Sequence, residues 1–564
     1  MSYSDTRRLP MWRAWAALLL VFSFFCAPLP ASAQQGQATA AAVAPAAALT
    51  EAEREAASRV KVETIREVTS ALASKEMGGR GTGQPGGDRA AEYIAERFAK
   101  LGLKPLGENK TYFQTIKFRE YQITPDTSFK AGETALKLRD DFIPIPPYTG
   151  DKELSAPLVF VGYGVQADGL GRQDLKGMEV RGKLVVLLSG PPKGVSAEAW
   201  KKSQAGFVVL RNLLMQGAAG LVIAGAGTEQ MPYAKTADYV VRRQIEPADA
   251  EQFPPGFPPF FYVSDAGAEK LFAASGTTYA EAKRRAEAGE FVSRDLKQTA
   301  ALAVRFRRAQ VTGRNVVGLL EGSDAALKEQ AVVYTAHYDA YGTDAEGRVF
   351  PGAADNALGV AEMVAIAEGL AAARPRRSVV FLAVTGEEYG LHGAEYWVKN
   401  PTWKLEQVAA NLNFDGIGTE IFGPLGQIVG FGMEHSDLGA LLQQVAAATG
   451  RRIAPDPMPE EKTFYRSDHY AFVKRGVPAL FLMGAPEWDA KTLVARIKEY
   501  DETHYHQPTD VVRPDWNWEG ARGVAQVGLL LGLRIANAER MPAWLPSSPF
   551  NRRRGTNEPP PPEP

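Results

Sequence analysis

The sequence predicts an α/β protein: a mainly parallel, mixed sheet sandwiched by helices, with an inserted β-rich module. Three observations carry this. First, from about residue 310 to 540 apolar runs alternate with helical segments. "NVVGLLEG", "AVVYTAHYD", "SVVFLAVTGEE", "VAANLNFDGIG" and "VPALFLMG" read as buried strands, and "NALGVAEMVAIAEGLAAA" and "WEGARGVAQVGLLLGLRIANA" as helices. Apolar strands alternating with helices imply a sheet covered on both faces. Second, from about 150 to 300 the texture changes to short strands, "APLVFVGYGV", "GKLVVLLSG", "AGLVIAGAG" and "PPFFYVS", with prolines clustered around 253–259. Third, 564 residues leave room for two to four domains with real cores.

Taken in order, the chain opens with Arg7, Arg8 and Arg13, an apolar stretch "AWAALLLVFSFFCAPLP", and "ASA" at Ala31–Ala33. That is the pattern of a signal peptide cleaved before Gln34, and its apolar core is too short for a comfortable membrane span. The only cysteine, Cys26, lies in this leader, so the mature chain has no thiol for a disulfide, a nucleophile or a metal. Residues 34–50 read as a flexible Ala/Gln-rich linker. A helix is expected from about Glu51 to Ala73. The glycine loop "GGRGTGQPGG" (78–87) lacks the Lys-Ser/Thr of a phosphate loop and reads as a turn. In "DRAAEYIAERFAKLGLKP", Ala91, Ile94, Ala95, Phe98 and Leu101 share one helical face, and Gly102 ends the helix. The tail, 542–564, reads as disordered. A net charge of −1 carries no nucleic-acid footprint.

The chemistry gathers in the C-terminal half. All six histidines lie between His337 and His506. His337 ends the run "AVVYTA" and precedes Asp339. Asp355 closes "GAADN" ahead of an apolar helix. Glu387 and Glu388 follow "SVVFLAV", Asp415 follows "NLNF", and His506 lies in "HYHQPTD". Each follows a strand or loop at what should be the carboxyl edge of the sheet, where open α/β sheets place their sites. Two adjacent carboxylates at a core strand's end are costly unless something positive waits there. Histidines with carboxylates and no cysteine suit Zn²⁺, or Mn²⁺ or Co²⁺ as substitutes. Five ligands exceed what one catalytic zinc takes, but they fit two ions if one carboxylate bridges, and two such ions would share one hydroxide. One glutamate of the pair would bind metal while its neighbour moves a proton.

"HYDAYG", "GAADNALGVAEM", "TGEEYGLHGAEYW", "NFDGIG", "YRSDHYAF", "GVPAL" and "YHQPTD" occur in an order that resembles the co-catalytic zinc aminopeptidases of clan MH, peptidase family twenty-eight. "GRGTG…AAEYIAERFAKLGLKP" extends the likeness, and the 150–300 module resembles the protease-associated (PA) domain inserted in many members. The resemblance implies a zinc-peptidase (phosphorylase/hydrolase-like) fold. It implies that His337 and Asp415 hold one zinc, Glu388 and His506 the other, and Asp355 bridges both. It further implies Glu387 as general base, Tyr505 as a hydrogen-bond donor to the oxyanion, and a cis peptide between Asp355 and Asn356. Asp339 fits an acceptor that fixes the tautomer of His337. His504 is read as a rim residue, His469 as structural, His392 as packing and His435 as surface. Ser467–Asp468–His469 is too contiguous to fold back as a serine triad.

These readings imply a secreted, periplasmic dizinc metallo-aminopeptidase acting on peptides with a free N-terminus. They imply no nucleic-acid partner and no membrane span once the leader is removed. The expected organisation is a signal peptide (1–33), a linker (34–50), a discontinuous catalytic domain (51–148 and 305–541), a PA-like insert (149–304) over the cleft and the tail (542–564). Alternatives on the same fold are a carboxypeptidase, which would need an arginine pocket such as Arg466 could supply, and a glutaminyl cyclase. A non-enzymatic receptor would be expected to lose metal ligands.

Overall fold

The apolar runs that end in acids and imidazoles become neighbouring strands of one sheet. The computed structural model describes residues 48–561 except 146–149, 168–171, 226, 228–231, 255, 417–422 and 424. The leader, Cys26 and residues 34–47 of the expected linker lie outside the described residues. The described chain divides into two compact units. One spans Glu120–Gln244 and Asp249–Ala309; the other runs up to Arg119, over Ile245–Ala248 and from Gln310 onward.

The second unit carries α1 (Val62–Leu72), α2 (Pro85–Lys100), β1 (Phe113–Ile123), β2 (Phe306–Leu320), β3 (Ala331–His337), α3 (Leu358–Ala373), β4 (Ser378–Val384), α4 (His392–Lys399), β5 (Val408–Asn413), β6 (Gln427–Phe431), α5 (Leu438–Ala448), α6 (His469–Lys474), β7 (Ala479–Ala485), α7 (Ala490–Thr503) and α8 (Trp518–Asn537). Its sheet runs Gln244–Pro247, β1, β2, β4, β3, β5, β7, β6, Arg452–Ala454. The pairs β4–β3, β3–β5 and β5–β7 are parallel, while β2–β4 and β6–β7 are antiparallel. The chain leaves β3 to one side for β4 and returns to its other side for β5. β3 is therefore a topological switch point, with a crevice beyond its carboxyl end. Register sets His337 opposite Val384, and Thr335 opposite Asn413, so β3 and β4 finish level and β5 ends two residues earlier.

Helix α3 is apolar on nearly every side, which marks a helix buried all round. It packs against α1 and α8, and its residues from Leu358 to Ala367 are all buried. The helix expected over 51–73 is two helices, Glu51–Ser58 and α1. The break at Arg59–Lys61 turns Val60 into the core, where it is 1% exposed.

The other unit departs from its expected 149–304 boundary. Strands Ser128–Ala131, Thr134–Leu136 and Phe142–Ile145 belong to its eight-stranded sheet. Phe129 and Phe142 pack on Phe261 there, which draws these earlier strands in. The unit is also less purely β than its texture suggested. Lys152–Phe160, Leu184–Leu188, Gly220–Ala224 and Phe260–Val263 run parallel, and helices such as Ala205–Met215 and Tyr233–Val241 connect them.

The tail expected to be disordered is packed over its described part. Trp544 Nε1 donates to the Gly476 carbonyl at 3.0 Å, and Arg554 Nε donates to the Val408 carbonyl at 2.9 Å. Phe550 is 2% exposed among Phe464, Tyr465, Tyr470 and Trp544. A composition-based reading averages over arginines and prolines, whereas a few aromatic anchors decide the outcome. Phe550→Ala should cost about 3 kcal/mol through its cavity, read as a lower urea midpoint. An unchanged midpoint would mean the tail contributes nothing to stability.

Candidate metal centre

Three neighbouring strand ends deliver most of the site. His337 is the last residue of β3. Glu387 and Glu388 open a short turn, Glu387–Tyr389, beyond β4, and Asp415 lies just past β5. Asp355 comes from the turn Ala353–Ala357 that enters α3, and the Asp355–Asn356 peptide is cis, as the resemblance implied. His506 follows α7 with a left-handed φ of 58°.

The structure brings these six side chains together around Asp355. Asp355 Oδ1 lies 3.2 Å from His337 Nε2, and its Oδ2 lies 3.2 Å from His506 Nε2. Each imidazole nitrogen has a second carboxylate. Asp415 Oδ1 is 3.0 Å from His337 Nε2, and Glu388 Oε2 is 2.9 Å from His506 Nε2. Glu387 Oε2 stands farther off, 3.9 Å from His337 Nε2. Donor atoms of His337, Glu387 and Asp415 lie within 4.8 Å of one another, as do those of His337, Asp355 and Glu388.

The electrostatics explain how adjacent glutamates tolerate burial. Burial drives the Glu387 carboxyl well above its ordinary range, and Asp415, Asp468 and Glu388 add to it while His337 opposes. Burial likewise pushes Glu388 up to about 7, against the pull of His506. Burial would lower His506, yet Glu388 and Asp355 outweigh it and hold the imidazole up at about 9. The Asp355 carboxyl, which burial alone would raise, is kept far below its usual value by hydrogen bonds from both histidines. The cluster thus demands positive charge at its centre. Four carboxylates and two imidazoles, with no thiolate, fit divalent zinc in donor type, and two such ions would neutralise the four charges.

The surrounding residues fix these groups, and sequence reasoning missed several of them. Asp339 is fully buried. Its backbone carbonyl, not its carboxylate, is the nearer partner of His337 Nδ1, at 3.2 Å against 3.8 Å. Its carboxylate instead accepts from the Glu387 backbone N–H and the Thr82 hydroxyl, each at 3.2 Å. Ser467 Oγ donates to Asp415 Oδ2. Asp510, in the same "HQPTD" run as His506, accepts from the N–H groups of Ala354 and Asp355 at 3.0 and 3.1 Å. Arg80, in the loop read as a turn, is fully buried and donates to backbone carbonyls on both sides of the site. Gly352 has a φ of +54°, and a Cβ there would meet the Asp355 carbonyl at 2.3 Å.

Tyr505 stacks on His506, with ring centroids 3.6 Å apart. His504 caps α7 and His392 packs against Phe118. His469 is buried between Phe464 and Phe481, and His435 packs on Phe464 and Phe550. Arg466 is about half exposed and pairs with Glu461 at 3.1 Å.

A thiolate-free donor set at the switch point of such a sheet suits a divalent metal such as zinc. Residues 315–530 match the model of peptidase family M28. A probable zinc metalloprotease of Leptosphaeria maculans is 35% identical over 141 residues, covering 25% of this chain and 32% of the relative. A vacuolar membrane protease of Clavispora lusitaniae is 35% identical over 105 residues, covering 18% of this chain and 9% of the relative. The chain thus spans about a third or less of these relatives' length. Among solved structures, an aminopeptidase from Aneurinibacillus sp. strain AM-1 shares the fold with a TM-score of 0.57 at 19% identity, over 87% of this chain and 97% of that one. A zinc aminopeptidase from Bacillus subtilis has a TM-score of 0.50 at 17% identity, over 85% and 96%.

The relatives correct one expectation. Several are named vacuolar membrane proteases, which overturns the secreted, periplasmic location. A basic and apolar leader addresses a membrane without encoding the compartment beyond it. Among the described residues, one helix, Ala353–Ala373, is long and apolar enough to cross a membrane, and 78% of its apolar window is buried in the fold.

Proposed function

We propose that the chain is a dizinc exopeptidase that removes N-terminal residues from peptides. The observation that carries this reading is Asp355, whose two carboxylate oxygens each face one imidazole at 3.2 Å. Each imidazole then has its own further carboxylate, so two half-sites share one ligand. His337 and Asp415 would hold one zinc, His506 and Glu388 the other, and Asp355 would bridge them. When bound, the ions would polarise the scissile carbonyl and make water a nucleophile at neutral pH.

The protein's own groups do the rest. Glu387 lies nearer the rim than Glu388, with its side chain 12% exposed against 3%. It would take the proton from the attacking water on a carboxylate oxygen and pass it to the leaving amine. The Asp339 carboxylate, bound to the Glu387 backbone N–H, keeps that side chain aimed. Tyr505, fixed by its stack on His506, would donate its hydroxyl to the developing oxyanion. Arg466, the carboxypeptidase candidate, already has Glu461 as partner, which favours the aminopeptidase. The Glu120–Ala309 unit we assign to the protease-associated class on its sequence resemblance alone.

The test is mass spectrometry of one unstructured peptide, free and N-acetylated, with and without a zinc chelator. Stepwise loss from the free N-terminus, stopped by acetylation and by chelator, is expected. Trimming of both forms from the C-terminus would replace the reading with a carboxypeptidase.

A further inference from the structure

We infer that Arg80 and Asp510 form a two-armed clamp that sets the spacing of the two metal positions, an inference that rests on reading Asp355 as their shared ligand. Arg80 is fully buried and spends its guanidinium on backbone carbonyls. One arm, Nε, donates to the carbonyl of Tyr338, the residue after His337. The other arm reaches the chain arriving at Asp355: Nη1 donates to the Pro351 carbonyl and Nη2 to the Gly352 carbonyl, the latter at 2.7 Å. A further bond, Nη1 to the Leu72 carbonyl at 2.8 Å, ties the guanidinium to the end of α1. One rigid, planar fork therefore spans the segments that carry His337 and Asp355.

Asp510 completes the hold from the His506 side. Its two carboxylate oxygens accept the N–H groups of Ala354 and Asp355 at 3.0 and 3.1 Å, and it lies four residues after His506. The Asp355 turn is thus gripped by its carbonyls through Arg80 and by its amides through Asp510. The grip leaves no slack, since a Cβ on Gly352 would lie 2.9 Å from Arg80 Nη2. A buried guanidinium is expensive to desolvate, and neutral carbonyls compensate it only in part. The field of Asp510, Asp339, Asp355 and Glu388 opposes the remaining cost without cancelling it, which couples the clamp's charge to the acidic cluster it positions. Arg80 lies outside the family match at 315–530, and both residues act through the backbone as positioning residues. Lysine cannot reproduce the fork, because its single ammonium reaches one end of the span at a time.

The test measures zinc stoichiometry and both zinc affinities by competition with a chelator in the full-length protein, comparing Arg80→Lys, Arg80→Met and Asp510→Asn with wild type. A folded Arg80→Lys or Asp510→Asn protein should keep one zinc and bind the second about 10–100-fold more weakly, the usual loss when a group orienting a ligand is removed. Arg80→Met should lose more than Arg80→Lys. Val445→Ala, a buried substitution on α5, serves as a control and should lower the unfolding midpoint without touching either affinity. Folded variants with both affinities unchanged, or a control that weakens them equally, would overturn the clamp. Should Arg80→Lys not fold, Asp510→Asn decides alone. A wild-type protein that takes up only one zinc would instead overturn the dizinc reading, and the clamp with it.

Discussion

Glu387→Gln should leave two zinc ions bound and the unfolding midpoint near wild type while lowering turnover by about 10²–10⁴-fold, the usual contribution of a positioned general base. The substitution keeps shape and hydrogen-bonding capacity but removes the ability to carry a proton. Distances support a base here more than a ligand: Glu387 Oε2 is 3.9 Å from His337 Nε2, whereas Asp415 and Asp355 approach it at 3.0 and 3.2 Å. Its backbone is pinned by Asp339 whichever side chain it carries, so geometry should survive. Two measurements separate the possibilities, metal content and steady-state rate. A near-normal rate would remove Glu387 from the base role. Loss of a zinc would make it a ligand, as its closeness to His337 and Asp415 allows.

What could be read from the chain and what could not divides along a physical line. Strand ends announce themselves because an apolar run that stops at His337 or before Glu387 leaves the polar residue at the sheet's edge. Helix α3 was legible because a long segment apolar on all sides has no stable place but a core. Arg80 and Asp510 were not legible. Their partners are backbone carbonyls and amides, which every residue carries, so no side-chain pattern points to them. Asp339 shows the same limit: its position beside His337 suggested a carboxylate–imidazole bond, but its carboxylate serves Glu387 and Thr82 instead. Phe550 and Trp544 order a tail whose composition alone reads as solvated. The boundary at Glu120 depends on aromatic contacts such as Phe129 with Phe261, between residues far apart in sequence. Compartment was never encoded in the leader's physics.

Asp355→Ala should have the broadest consequence of any single change, weakening both zinc positions by more than the roughly 10–100-fold typical of a residue that only orients a ligand. The reason is topological as much as chemical. Asp415 faces one imidazole and Glu388 the other, so Asp415→Ala or Glu388→Ala should empty one position and leave the second. Asp355 faces both, with Oδ1 toward His337 and Oδ2 toward His506. Without it, two cations would meet across a gap with no shared anion, and their mutual repulsion would be uncompensated in a buried site. Alanine fits the space, and the Asp510 bonds go to the amides of Ala354 and of position 355 itself, which alanine retains. The fold should therefore persist, and metal content can be read on intact protein. Two zincs held at wild-type affinity by Asp355→Ala would break the bridge assignment. Loss confined to one position would reassign Asp355 to that position alone.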